Sequence, residues 1–157
     1  YLDIEKYSLA SSIYRNGRRL IAVGSGFNSK NDRSKESLKL LTYGLTHYDL
    51  VKIAKADEPI GHVKVWLGKE ETVQAYTNKD IYKTIRKAKK KLLKISINYE
   101  GPIEAPIKKN QKIALLKVMY NKELIGEYDL LSMKEIKKVN FISKLIKSLN
   151  YLIWGDV

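Results

Sequence analysis

The sequence predicts a mainly β protein with helices, built as a hairpin and helix followed by a small antiparallel β-sandwich and an amphipathic terminal helix. Three observations carry that expectation. Asn16-Gly17 separates two strand-like runs, and this dipeptide suits a type I′ turn, which needs positive φ at both central residues. Between about residues 50 and 134, short β-rich runs alternate with turn residues every 8–12 positions. The last stretch, 139–154, places its apolar residues on one side of a helix.

Taken in order, residues 6–14 (K-Y-S-L-A-S-S-I-Y) carry apolar side chains mostly two apart and form the first hairpin strand. The second, Arg18 to Val23, ends in a loop with Gly24 and Gly26. A helix then begins, with Asn31 or Asp32 as its cap and Ser34 close behind. Leu38, Leu41, Leu45 and Tyr48 fall at i, i+3, i+7 and i+10, one helical face. A hairpin and one helix bury little surface, so this piece is expected to be the end of something larger. The chain opens on Tyr1 and reaches strand-like residues at once, which reads as a piece of a longer protein.

Composition changes near Leu50, where lysines alternate with aliphatic residues in V-K-I-A-K-A and Glu58-Pro59 breaks the run. A domain boundary is placed at about 49–50. Strands are expected at Val63–Leu67, Val73–Tyr76, Asp80–Ile85, Leu93–Tyr99, Ile113–Tyr120 and Glu123–Leu130, the last two joined by a short Asn121-Lys122 turn. The domains are therefore 1–49, 50–134 and 135–157.

Charge narrows the partners less than its size suggests. The net charge is +13, with 25 lysines against five arginines. Readers of nucleic-acid bases lean on the arginine fork, and no stacking aromatics interleave the R-K-A-K-K-K run at 86–91. That run is read as a solvated loop or helical turn, and no nucleic-acid partner is expected. The chain has no cysteine, and neither His47 nor His62 has a second ligand at metal spacing. No cofactor and no metal are expected.

In the last stretch, Phe141, Ile142, Leu145, Ile146, Leu149, Leu152 and Ile153 fall within an arc of about 140°. Lysines, serines and Asn150 fill the other side. About 16 residues give roughly 24 Å, short of a comfortable span. A helix lying in the membrane interface fits, with Tyr151 and Trp154 at headgroup level, and an anionic membrane surface is the expected partner.

Three stretches together resemble the low-molecular-weight penicillin-binding proteins, the serine-type D-alanyl-D-alanine carboxypeptidases (peptidase family S11 type). They are N-G-R-R-L-I-A-V with R-S-K-E-S-L-K-L-L-T-Y-G-L, V-W-L-G at 65–68, and Y-E-G-P-I-E-A-P-I-K-K-N-Q at 99–111. Their order and spacing cover essentially the whole chain. One departure is Ile85-Arg86-Lys87-Ala88, where relatives often have Pro-Arg-Gly after the isoleucine.

The resemblance implies that residues 1–49 are the last two strands and closing helix of an α/β, β-lactamase-like catalytic domain. Residues 50–134 would be the β-rich C-terminal domain, and 135–157 a linker and a membrane anchor holding the enzyme on the outer face of the inner membrane, in the periplasm. The family reaction removes the terminal D-alanine of peptidoglycan stem peptides through a serine acyl-enzyme. It needs S-x-x-K, S-x-N and K-T-G elements around one pocket. No serine here has lysine three residues on, and no K-T-G occurs. S-x-N appears only at Ser29, Ser96 and Ser148, in unrelated places.

No catalytic residue is therefore assigned, and the chain by itself is expected to be inactive. Arg33 matches the arginine that in relatives helps hold the substrate's terminal carboxylate, a task its planar fork suits. A cation in a helix's first turn opposes the dipole, which calls for such a reason. The anchor residues are Phe141, Ile142, Leu145, Ile146, Leu149, Leu152, Ile153 and Trp154. The alternative is a non-catalytic module that binds peptidoglycan or a protein partner.

Overall fold

The computed structural model describes residues 6–139 and 141–154, with the side chains of 141–144, 147, 148 and 154 outside that description. The fold is mainly β. It divides into two compact units, one of residues up to Val51 with Lys83–Lys91, the other of Lys52–Tyr82 with the residues from Leu92 onward.

In the first unit, β1 (Tyr7–Arg15) and β2 (Arg18–Phe27) form the antiparallel hairpin, with Arg15 directly opposite Arg18. Asn16 and Gly17 take φ of +51° and +74°, the double positive turn that this dipeptide tolerates. The second strand runs past its expected end at Val23 to Phe27. Gly24 continues the ladder rather than opening a loop, and the Phe27 ring packs where a Cβ on it would sit, 2.6 Å away. A register shift between Tyr7 and Leu9 absorbs the extra length.

Helix α1 (Lys30–His47) starts earlier than expected. Its cap is Ser29, not Asn31 or Asp32: the Ser29 Oγ accepts from the Asp32 peptide N–H at 3.0 Å. Ser29 in turn donates its hydroxyl to the Asp32 carboxylate at 2.8 Å, so the acid occupies the third helical position of a capping pair. Three of the four residues expected on the packed face turn inward, and Leu38 does not. Ser37 and Leu41 are buried, Arg33, Gly44, Leu45 and Tyr48 half-buried, and Leu38 is 63% exposed. The helix seats closely because Gly44 has no side chain; a Cβ there would stand 3.0 Å from the Leu20 Cδ1.

Strands β3 (Tyr48–Ala54) and β6 (Ile81–Arg86) pair as a two-stranded sheet. The larger sheet of the second unit contains β4 (Pro59–Trp66), β5 (Thr72–Tyr76), β7 (Leu93–Asn98), β8 (Ile103–Glu104), β9 (Lys112–Tyr120) and β10 (Glu123–Ser132), in the order β7-β9-β10-β5-β4-β8. Four of its five strand pairings are antiparallel; in the fifth the two-residue β8, absent from the expected strands, joins β4 in parallel. The β9–β10 turn is the expected one, with Asn121 and Lys122 at φ of +50° and +69°. In the 86–91 run Arg86 ends β6, and Lys87–Leu92 is a 3₁₀ turn with exposed lysines.

Among the described residues, thirteen of the second unit make one core cluster, including Val63, Val73, Ala75, Ile107, Leu116, Leu130 and Ile136. The 99–111 motif serves this core. Ala105 and Ile107 are buried in it around a cis Ala105-Pro106 bond, and Asn110 accepts from the Tyr76 hydroxyl at 2.8 Å. V-W-L-G ends β4 at a turn where Leu67 has φ of +56° and Gly68 is enclosed by Val65, Ile136 and the Glu70 carbonyl. Helix α2 (Phe141–Trp154) follows.

Candidate functional site

The helical spacing that places Ser37 and Leu41 against the hairpin places Arg33 one turn earlier on the same stripe. Its guanidinium therefore lies along β1, and Nη1 donates to the Ser8 carbonyl at 3.4 Å. Nε is buried with no hydrogen-bond partner. Around it is an open cleft of about 400 Å³ lined by Lys6, Tyr7, Ser8, Lys30 and Arg33. Lys6 holds the Asn28 side-chain oxygen at 2.9 Å.

Electrostatically the cleft is one-sided. Among the described residues three cations line it and no carboxylate does. The acid next to Arg33 in sequence, Asp32, is occupied with Ser29. The cleft lies beside the first turn of α1, whose peptide dipole adds to the positive field. Such an arrangement can receive a carboxylate. Among the described residues no group of His, Cys, Asp and Glu is placed to hold a metal.

The expected anchor residues fall partly within the described side chains. Leu145, Ile146, Leu149, Leu152 and Ile153 on α2 are all more than half exposed, Leu152 at 85%. Phe141, Ile142 and Trp154 lie on the helix, but their side chains are outside the described ones. Tyr151, from the polar side, packs edge-to-face on Trp66 with ring centroids 4.9 Å apart. Among the described residues no helix is long and apolar enough to cross a membrane.

The histidines are exposed, and His47 stacks on Tyr43 at 4.3 Å. Sequence reading missed Arg18, which is buried beside the turn and donates through Nη2 to the Gly44 carbonyl at 2.9 Å. The signal was available: Arg18, Leu20 and Ala22 share one face of β2 by strict alternation.

A hairpin closed by a helix, followed by a β-rich unit with this turn and motif order, defines a class of protein. The chain belongs to the family of the penicillin-binding protein 5 C-terminal domain, which matches residues 48–138. It is similar to the D-alanyl-D-alanine carboxypeptidase DacA of Escherichia coli (strain K12), 29% identical over 147 residues, which cover 93% of this chain and 36% of that protein. The carboxypeptidase DacF of Bacillus subtilis (strain 168) is 27% identical over 150 residues, 95% of this chain and 39% of the relative.

Among solved structures, penicillin binding protein 5 from Haemophilus influenzae superposes with a TM-score of 0.70 at 26% identity, over 88% of this chain and 41% of the other. The carboxypeptidase DacD from Francisella tularensis gives 0.67 at 30%, over 88% and 35%. The chain thus spans little more than a third of the length of the curated relatives it matches.

Proposed function

We propose that this chain is the C-terminal portion of a serine-type D-alanyl-D-alanine carboxypeptidase that trims peptidoglycan stem peptides. Residues 1–49 act as the last strands and closing helix of the penicillin-binding domain, and Arg33 holds the terminal carboxylate of the peptide. Residues 50–134 serve as a β-sandwich spacer. Residues 135–157 are the linker and the interfacial anchor, through Phe141, Ile142, Leu145, Ile146, Leu149, Leu152, Ile153 and Trp154, holding the enzyme at the anionic outer face of the inner membrane in the periplasm. The stem peptide is bound through the whole enzyme.

The observation that carries this reading is the cleft: an arginine whose Nε is buried without a partner, beside Lys6 and Lys30, with no carboxylate lining it among the described residues. A buried, unsatisfied donor is costly, and an incoming carboxylate relieves that cost while gaining two charge-assisted bonds. The exposed apolar face of α2 supports the anchor. Chemistry is assigned to S-x-x-K, S-x-N and K-T-G elements outside this sequence, so the chain alone forms no acyl-enzyme.

The test is labelling by a fluorescent penicillin, comparing this chain with a form extended upstream through those three elements. The extended form alone should be acylated. In that form Arg33→Gln should raise KM for a D-Ala-D-Ala peptide about tenfold or more, with a smaller change in acylation by penicillin. Absence of labelling in a properly folded extended form would overturn the enzymatic reading and leave the non-catalytic module.

A further inference from the structure

Beside the turn of the hairpin is a second cavity, of about 400 Å³, lined by Arg15, Asn16, Arg18, Leu45, Thr46, Tyr48, Asp49, Leu50 and Lys87. All of these belong to the first unit. Three cations face one carboxylate there, and that carboxylate is already engaged, Asp49 Oδ1 standing 3.6 Å from the Lys87 Nζ. We propose that this cavity is a binding site for a phosphate-class oxyanion, received between Arg15, Arg18 and Lys87.

Two independent observations lead there. Arg18 is 91% buried, its relative exposure being 9%, and its Nη1 has no hydrogen-bond partner. A buried guanidinium nitrogen left unsatisfied is unfavourable in any fold and needs an acceptor. Arg15 stands directly opposite Arg18 in the hairpin register, and like charges so placed destabilise a strand pair. Arg15 has no ion-pair partner among the described residues. One tetrahedral anion answers both problems, offering acceptors to the orphaned nitrogen and charge to the repelling pair.

Capping of α1 explains part of this cluster but not all of it. Arg18 Nη2 donates to the Gly44 carbonyl at 2.9 Å, and Lys87 Nζ to the Leu45 carbonyl at 3.3 Å, both in the last turn of the helix. That role leaves Arg18 Nη1 and the whole Arg15 guanidinium unused. Thr46 and Asn16, whose side chains carry further donors, line the same cavity. A planar carboxylate would engage one arginine; a phosphate has enough oxygens for both arginines and the lysine.

The test is a titration of the full chain with inorganic phosphate, followed by amide and arginine side-chain NMR shifts. It is run in parallel with vesicles of phosphatidylcholine with and without phosphatidylglycerol. Saturable shifts at Arg15, Arg18, Thr46 and Lys87 are expected, weakened about tenfold by Arg15→Gln, which leaves the helix-capping bonds in place. Lys90→Gln, an exposed lysine in the same 3₁₀ turn and outside the cavity, should bind as well as the parent. Saturation by inorganic phosphate identifies a soluble phosphate as the source, and Arg15-dependent saturation only by phosphatidylglycerol vesicles identifies a lipid headgroup; either supports the site. Shifts that fail to saturate with both probes, or an equal loss in Lys90→Gln and Arg15→Gln, overturn it in favour of diffuse charge.

Discussion

The two units differ in how much of their own surface they bury. In the second, thirteen core residues from β3 to the segment after β10 form one cluster, several at zero exposure. In the first, the apolar side chains buried among the described residues are Ala22, Leu41 and Ile85, while Ile21 and Val23 on the outer face of β2 are 69% and 73% exposed. Tyr14, Leu38 and Leu40 are exposed as well. The first unit has the secondary structure of a domain without the core of one, and its outward apolar residues form the kind of surface that marks a contact with further protein. In the proposed reading, that further protein is the rest of the penicillin-binding domain.

The contrast can be broken by mutation. Leu116→Ala should cost about 3 kcal/mol or more in urea unfolding followed at the β unit, because a fully enclosed leucine leaves a cavity. Leu41→Ala should cost less, about 2 kcal/mol, and Leu38→Ala within about 0.5 kcal/mol. Equal costs at Leu116 and Leu41 would mean that the first unit has a core as tight as the second.

Gly68→Ala should destabilise the second unit by about 1–3 kcal/mol, read as a fall in thermal midpoint. Its Cβ would lie 2.7–2.9 Å from Val65, Ile136 and the Glu70 backbone oxygen, and the last of these cannot move aside like a flexible side chain. Gly44→Ala meets only the Leu20 terminus at 3.0 Å and should be the milder of the two. Ser29→Ala should lower the first unit's stability by about 1 kcal/mol, seen as faster amide exchange in the first turn of α1. No change there would move the cap back to Asn31 or Asp32.

The smallest effect is electrostatic. The hydrogen bond and charge of Glu58 hold the exposed Lys55 ammonium above its ordinary 10.5. A raised folded value contributes stability that is fully present below pH 10.5 and fades as pH rises through the folded value. The thermal midpoint of the parent should therefore lose its small advantage over Lys55→Met only above about pH 10.5, and a difference that grows with pH would contradict this.

Much of this was legible because it rests on local chemistry. Asn16-Gly17 and Asn121-Lys122 both form turns with two positive φ values, a property of the dipeptide and its neighbours. Alternation located most strands to within a few residues. The helix face was read correctly at Leu41, Leu45 and Tyr48 but not at Leu38, because leucine spacing alone missed that Arg33, Ser37 and the closely approaching Gly44 share the inward stripe. Ser29 was passed over because its capping partner, Asp32, is itself a good cap. Strand β8 is two residues long, too short for any periodicity, and exists only through its pairing with β4.

By itself, then, the sequence determined the hairpin, the β-rich unit, the amphipathic face of α2, the family, and the absence of the S-x-x-K and K-T-G elements from this chain. These depend on residue order and on interactions reaching a few positions along the backbone. Tertiary structure decided that Arg33 and Ser37 rather than Leu38 complete the buried helix face, that Arg33 lies beside Lys6 and Lys30, and that Arg15, Arg18 and Lys87 share one cavity. Arg18 and Lys87 are 69 positions apart, and no spacing rule joins them. Burial and charge depend on distances in space, which only the packing of the helix, hairpin and turn against one another sets.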